Sequence, residues 1–120
     1  MLPLMTDTPW LGDACSLVEA FRSGERSPAE ELEAVLGAIE RSQLNSFSFV
    51  DADAARAAAA DADVQQPFGG VPTGVKMLDN VQGWPATEAS LVFKDRIGSH
   101  TSTKVQRLVD DGGAVLVGQT

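Results

Sequence analysis

Residues 68–76 read Phe-Gly-Gly-Val-Pro-Thr-Gly-Val-Lys, and they predict a loop that passes into a short strand. The Gly-Gly pair is typical of a turn that closes the loop at residues 64–70. Residues 71–78 are mostly apolar and have the length of a strand. Gly74 lies inside this segment and indicates that another part of the backbone approaches closely. Lys76 is the cation that this strand carries.

On the N-terminal side, the pattern predicts helices joined by one strand. Asp13 is an N-cap candidate for a helix that ends at Gly24. Residues 27–30, Ser-Pro-Ala-Glu, form a capping box before a second helix with an apolar stripe. Further predicted elements are a strand within residues 44–50 and an Ala-rich helix over residues 53–62.

On the C-terminal side, residues 79–90 are predicted to be irregular, and residues 94–100 are predicted to form a polar surface loop. Ser102 or Thr101 can then cap a helix that Gly112-Gly113 ends. Residues 114–117 are a continuous apolar run, typical of a buried strand. Helices that alternate with short strands indicate an α/β fold. We expect a lead-in over residues 1–12 and one domain over residues 13–120.

The composition excludes several classes of function. The chain has 120 residues and a formal net charge of −8, which argues against nucleic acid binding. Its single cysteine, Cys15, fits a reducing compartment. The first ten residues lack the pattern of a signal peptide, and no apolar run reaches the roughly 20 residues of a membrane span. We therefore expect a cytoplasmic protein with no membrane association.

Four blocks of the sequence resemble the amidase signature family. Residues 68–76 are similar to its Gly-Val-Pro-x-x-x-Lys signature, and residues 81–90 to the loop that follows. Residues 104–120 resemble its Gly-Ala-x-x-x-Gly-Lys-Thr run, and residues 17–39 its opening helix pair. The resemblance implies a mixed central sheet flanked by helices, of which this chain holds the N-terminal part.

The resemblance also implies a Ser-Ser-Lys mechanism, with Lys76 as the catalytic base. A serine attacks the amide carbon, and a second serine relays the proton to the lysine; no cofactor or metal takes part. Because burial favours the neutral form of a lysine, we expect apolar residues around Lys76. Met77 departs from the family, since many members have an acidic residue there. Both serines lie downstream in the family, and the sequence to Thr120 holds no matching Gly/Ser-rich segment.

Other interpretations of these residues are structural or use different chemistry. The alternative, structural interpretation is that Lys76 is an exposed lysine at the end of a strand and pairs with Asp79. Cys15 with His100 would suggest a thiol hydrolase, although a small buried cysteine is the commoner case. Ser90 and Ser99 lack the context of a nucleophile elbow. Four aspartates are better explained by helix capping and surface charge than by calcium, namely Asp51, Asp53, Asp61 and Asp63.

Two functions follow from this sequence. The first is a fragment of an amidase that hydrolyses the carbon–nitrogen bond of a small-molecule amide and is inactive by itself. The second is a truncated, non-catalytic module, or a piece like an amidotransferase subunit, that acts through partner chains. In either case we expect unpaired strand edges to favour self-association.

Overall fold

The computed structural model describes residues 7–120, so residues 1–6 of the expected lead-in lie outside the described part of the chain. Within residues 7–120, four helices, three strands and one 3₁₀ helix follow one another. In chain order they are α1 (Ala14–Ser23), α2 (Pro28–Arg41), β1 (Phe49–Val50), α3 (Ala52–Ala60), β2 (Pro72–Val75), the 3₁₀ helix (Leu91–Phe93), α4 (Thr103–Asp110) and β3 (Val115–Gln119). None of the helices between residues 7 and 120 has the length and apolar character needed to cross a bilayer.

The helix boundaries on the N-terminal side follow the local signals in the sequence. The Asp13 carboxylate accepts a hydrogen bond of 2.8 Å from the Ser16 backbone N–H, and α1 ends at Gly24 with φ of 81°. At the start of α2, Ser27 and Glu30 form the predicted capping box with reciprocal bonds of 3.1 Å. These bonds satisfy backbone donors that the first turn of a helix leaves unpaired.

The predicted caps of the later helices are confirmed only in part. Asp51 caps α3 through a bond of 3.3 Å from the Ala54 N–H. Ser102 occupies the N-cap position of α4, but its hydroxyl makes no capping bond. The alternative cap, Thr101, instead accepts a bond from the Gln82 N–H.

The three strands form a mixed sheet in the order β1-β3-β2. The central strand, β3, pairs antiparallel with β1 and parallel with β2. The predicted strand at residues 44–50 is reduced to its last two residues, and that at 71–78 to residues 72–75. In contrast, β3 continues to Gln119, two residues beyond the prediction, because it has partners on both sides.

Side chains alternate along β3, and each face of the sheet therefore has its own apolar cluster. Val115 and Val117 pack with Leu32 of α2 and two alanines of α3. Leu116 faces the other way, where Trp84 is buried with other apolar residues. That second cluster comprises Val75, Val81, Trp84 and Val105, with Phe49 and Leu116 packed against it.

The two glycine pairs of the sequence lie against each other. Phe68 donates its N–H to the Gly112 carbonyl at 2.7 Å, and Gly70 donates to that of Gly113 at 2.9 Å. A side chain at Gly113 would come within 3.0 Å of the Gly69 backbone. The glycines thus allow the loop before β2 and the turn before β3 to pair, which sets the parallel register of the two strands.

Candidate functional site

Lys76 lies at the carboxyl end of the parallel pair of strands. It follows the last residue of β2, and Thr120 follows the last residue of β3. The Thr120 N–H donates to the Val75 carbonyl at 2.9 Å, and the Met77 N–H donates to the Thr120 carbonyl at 3.0 Å. These two bonds fix the backbone on both sides of Lys76. In α/β sheets, the carboxyl ends of parallel strands are where ligand sites form.

The Lys76 side chain is exposed and borders two depressions in the surface. One has a volume of about 250 Å³ and is also lined by residues of α4. The other, called here the turn pocket, has a volume of about 550 Å³. Its lining consists of Ser48, Lys76, Met77, Leu78, Thr87, Glu88, Ala89 and Thr120.

The apolar surroundings expected for Lys76 are not formed within the described residues. Val75 is buried but belongs to the cluster beneath the sheet, because neighbouring side chains on a strand point to opposite faces. Leu78 leaves 63% of its surface exposed. The expectation of a buried lysine is therefore wrong for this part of the chain, since adjacent apolar residues in sequence do not enclose the amine.

The alternative in which Lys76 pairs with Asp79 is also wrong. The Asp79 carboxylate instead forms an ion pair of 3.0 Å with the amine of Lys104 on α4. Asp79 is connected to Lys76 only through the backbone, where its N–H donates to the Lys76 carbonyl at 2.9 Å. Within residues 7–120, none of the ion pairs includes the Lys76 amine.

One wall of the turn pocket is a tight turn over residues 87–90. The Ser90 N–H donates to the Thr87 carbonyl at 2.9 Å, which closes the turn. Its two central residues, Glu88 and Ala89, have φ of 51° and 57°. This is the pattern of a type I′ turn, for which Gly and Asn are preferred. Each non-glycine residue in this region costs about 1–2 kcal/mol, so the wall is strained.

Arg96 holds this strained turn in place through three contacts. Its Nε donates to the Ala86 carbonyl at 2.6 Å, and its Nη2 lies 3.2 Å from a Glu88 carboxylate oxygen. Its guanidinium also stacks on the Phe93 ring, with the central carbon 4.2 Å from the centroid. The backbone reinforces the arrangement, because the Ala86 N–H donates to the Arg96 carbonyl at 2.8 Å.

Met77 connects the turn to the strand that carries Lys76. The Thr87 hydroxyl donates to the Met77 sulfur at 3.0 Å, and it also accepts a bond of 3.3 Å from the Ala89 N–H. Met77 is the position at which the sequence departs from the resemblance, since many members of that family have an acidic residue there. The methionine provides a soft acceptor and an apolar surface to the pocket.

Sequence reasoning did not identify Thr87, Glu88 or Arg96 as parts of this site. Residues 81–90 contain no Asn-Gly or Gly-Gly pair that would predict a turn with two positive φ angles. Arg96 lies in a segment that was predicted only as a polar surface loop. Its contacts depend on how residues 86–97 fold back on themselves, and the sequence gives no signal for that.

The thiol hydrolase interpretation has no support in the geometry. Cys15 is exposed in the first turn of α1, so the expectation of a buried cysteine is wrong. The helix turns its apolar stripe inward and places Cys15 outside that stripe. His100 is exposed and lies within 3.5 Å of the Asn80 side-chain nitrogen. In the described part of the chain, no three potential ligands among His, Cys, Asp and Glu are grouped for a metal ion.

Comparison with known proteins relates most of the chain to enzymes and enzyme subunits. A curated relative, the glutamyl-tRNA(Gln) amidotransferase A-subunit of Acidobacterium capsulatum, is 38% identical over 111 residues. The corresponding protein of Lachnospira eligens is 33% identical over 116 residues. The alignments cover 85% and 89% of this chain but 23% and 24% of those proteins. The chain therefore spans about a quarter of the length of these relatives.

Solved structures give the same picture of the fold. A 6-aminohexanoate cyclic dimer hydrolase matches with a TM-score of 0.83 and 31% identity, over 91% of this chain and 23% of its own. A bacterial aryl acylamidase of the amidase signature enzymes matches with a TM-score of 0.81 and 29% identity, over 91% and 25%. The family model described as Amidase matches residues 30–120. The chain thus belongs to the amidase signature family, whose enzymes act on carbon–nitrogen bonds.

Proposed function

We propose that this chain forms the N-terminal part of an amide-hydrolysing site in which Lys76 is the catalytic base. The observation that carries the proposal is the position of Lys76 at the carboxyl ends of β2 and β3, beside a pocket of about 550 Å³. Its amine is exposed and makes no ion pair within residues 7–120, so it is available to a reacting group.

The proposal assigns the nucleophile and the proton relay to two serines in the residues that follow position 120 in longer relatives. Thr120 is bonded to the backbone on both sides of Lys76, so a chain that continues from it starts at the site. A lysine accepts a proton efficiently only when its neutral form is favoured, and burial provides this. In the proposal, the remaining three quarters of the domain cover Lys76 and supply that burial.

The reaction is the hydrolysis of a small-molecule amide through an acylated serine. The serine hydroxyl attacks the amide carbon while its proton passes through the second serine to the Lys76 amine. The proton then goes to the departing nitrogen, and the carbon–nitrogen bond breaks. Water then attacks the acyl group in place of the serine hydroxyl, and its proton passes along the same route to the Lys76 amine. The proton finally returns to the attacking serine as the acid leaves. The proposal requires no cofactor and no metal ion.

Lys76→Ala in the full-length protein encoded by the reading frame that contains residues 1–120 is the direct test. We expect turnover of a small amide such as benzamide, measured as released ammonia, to fall about 100-fold or more. The circular dichroism spectrum should not change, because none of the ion pairs within residues 7–120 includes the Lys76 amine. Lys94→Ala is the matched control, since Lys94 is an exposed lysine outside both depressions. Near-normal turnover by Lys76→Ala would refute the role as base.

A serine-directed probe tests the assignment of the nucleophile to residues after position 120. We expect a fluorophosphonate to label the longer protein and to leave the 120-residue chain unlabelled, as followed by intact mass. Labelling of the 120-residue chain would mean that one of its own serines, such as Ser90 or Ser99, is reactive.

A second candidate function is that of an amidotransferase subunit that works with partner chains. It is supported by the amidotransferase A-subunits among the relatives, of which that of Acidobacterium capsulatum is 38% identical over 111 residues. Ammonia release from glutamine, but not from benzamide, would support this candidate. The reverse preference would support a hydrolase that acts on other small amides.

A further inference from the structure

We propose that the strained turn over residues 87–90 is the wall of the turn pocket that positions a substrate amide beside Lys76, and that Arg96 is the positioning residue that holds this wall. The inference rests on the proposed function for its choice of ligand, a small neutral amide. It assigns a role to residues that take no part in the chemical steps.

The first argument is the strain itself. Glu88 and Ala89 both adopt positive φ, although neither is Gly or Asn. Such conformations persist only where the surrounding structure imposes them, and they concentrate at ligand sites. Both residues line the same pocket as Lys76, which connects the strain to the site.

The second argument is that the contacts imposing this conformation converge on one side chain. Arg96 bonds the Ala86 carbonyl just before the turn and pairs with Glu88 inside it. Its third contact, the stacking on Phe93, anchors it to the 3₁₀ helix just after the turn. The guanidinium therefore fixes both ends and the centre of the wall, and its fork geometry suits this use.

The third argument is the chemistry that the wall offers. Met77, Leu78 and Ala89 give the pocket apolar sides, while Ser48 and Thr87 contribute hydroxyls. Apolar sides with a few polar groups are typical of sites for small ligands with a polar head. A neutral amide with an apolar body, such as benzamide, matches this arrangement.

The test follows benzamide binding to the 120-residue chain by ¹H–¹⁵N correlation spectra. We expect saturable shifts at residues 87–90 and at Lys76 in the unmodified chain. In Arg96→Ala, the backbone couplings of Glu88 and Ala89 should lose the signature of positive φ. The affinity for benzamide should fall at least about threefold. Arg56→Ala is the matched control, because Arg56 is a half-exposed arginine in ion pairs with Glu33 and Asp53, outside the pocket.

Rescue by glycine separates positioning from general support of the fold. Glycine adopts positive φ without a steric penalty, so the turn with Gly at position 89 needs less help from Arg96. We therefore expect the double variant Arg96→Ala, Ala89→Gly to recover both the turn couplings and benzamide binding. A merely structural role of Arg96 predicts no such recovery.

Three outcomes would overturn the proposal. They are an absence of saturable shifts at residues 87–90 in the unmodified chain, unchanged binding in Arg96→Ala, and a failure of Ala89→Gly to restore what Arg96→Ala loses. Benzamide binding needs no catalysis, so these outcomes leave the role of Lys76 as base unaffected. Conversely, normal turnover by Lys76→Ala would refute the proposed function and would leave the positioning role of the wall intact.

Discussion

The region around β3 and the region over residues 76–97 contrast in how they bury apolar surface. Around β3, Leu32, Val115 and Val117 are almost completely buried between the sheet and two helices. In residues 76–97, Leu91 and Val92 leave 87% and 85% of their surfaces exposed, and two residues are strained. The first region completes its own core. The second holds Lys76 and the pocket. It buries Val81 and Trp84 in the cluster beneath the sheet, but it leaves Leu91 and Val92 open for contact with further protein or ligand.

The residues that contribute most to stability and the residues of the candidate site therefore lie largely in different parts of the chain. Changes around β3 should affect unfolding strongly and the site little, while changes to the exposed side chains of residues 76–97 should do the opposite. The following variants test whether the two regions differ in this way.

Leu32→Ala should have the largest effect on stability. Leu32 is 1% exposed, and its truncation leaves a cavity among Ala55, Val115 and Val117. We expect a loss of about 2–5 kcal/mol in the free energy of unfolding, measured by urea denaturation. Leu91→Ala is the control and should change stability by no more than about 0.5 kcal/mol, because Leu91 is exposed. Equal effects of the two variants would contradict the division into two regions.

Ser27→Ala should have an intermediate effect. It removes the capping box of α2, where the Ser27 hydroxyl accepts a bond of 3.1 Å from the Glu30 N–H. We expect a loss of about 1 kcal/mol in the same urea experiment. Ser90→Ala removes a similar bond, of 3.2 Å from the Val92 N–H, at the start of the three-residue 3₁₀ helix. A larger loss from Ser90→Ala than from Ser27→Ala would show that residues 90–93 contribute more to stability than their burial indicates.

Glu33→Gln should have the smallest effect, and that effect should depend on pH. Two hydrogen bonds from the Arg56 guanidinium, of 2.8 and 3.1 Å, lower the pKa of the Glu33 carboxyl in the folded chain. The stabilisation is therefore present above the unfolded pKa and is lost as the pH falls through the lower folded value. Both side chains are more than half exposed, so we expect less than about 1 kcal/mol at neutral pH.

Unfolding of the unmodified chain and of Glu33→Gln should be compared at neutral and acidic pH. The difference in the free energy of unfolding should shrink below a pH of about 4 and should also shrink with added salt. A difference that grows as the pH falls would have the wrong sign for a carboxyl with a lowered pKa.

The sequence predicted the helix ends that are set by interactions between residues close to one another in the chain. Asp13, Ser27 and Gly24 set helix ends through bonds and backbone preferences that span a few residues. The amidase signature resemblance likewise rested on blocks of residues along the chain, and the family match over residues 30–120 confirms it. The assignment of Lys76 as base stays a prediction.

Tertiary structure alone decided what surrounds each side chain. Sequence neighbours of Lys76 are apolar, yet the alternation of a strand sends Val75 beneath the sheet and leaves the amine exposed. Asp79 reaches Lys104 rather than Lys76, and Cys15 is outside the core. The register of a sheet and the folding back of a loop depend on contacts between residues far apart in the chain.

Sequence alone was therefore sufficient to predict most helix starts, the α/β class, the family and the residue proposed as base. The folded chain was needed to show that the backbone around Lys76 bonds to Thr120 at the ends of two parallel strands, and that Arg96 holds a strained turn beside it. Helix caps and apolar periodicity act over a few residues, whereas a pocket forms from the positions of segments that are distant in sequence and meet only when the sheet has formed.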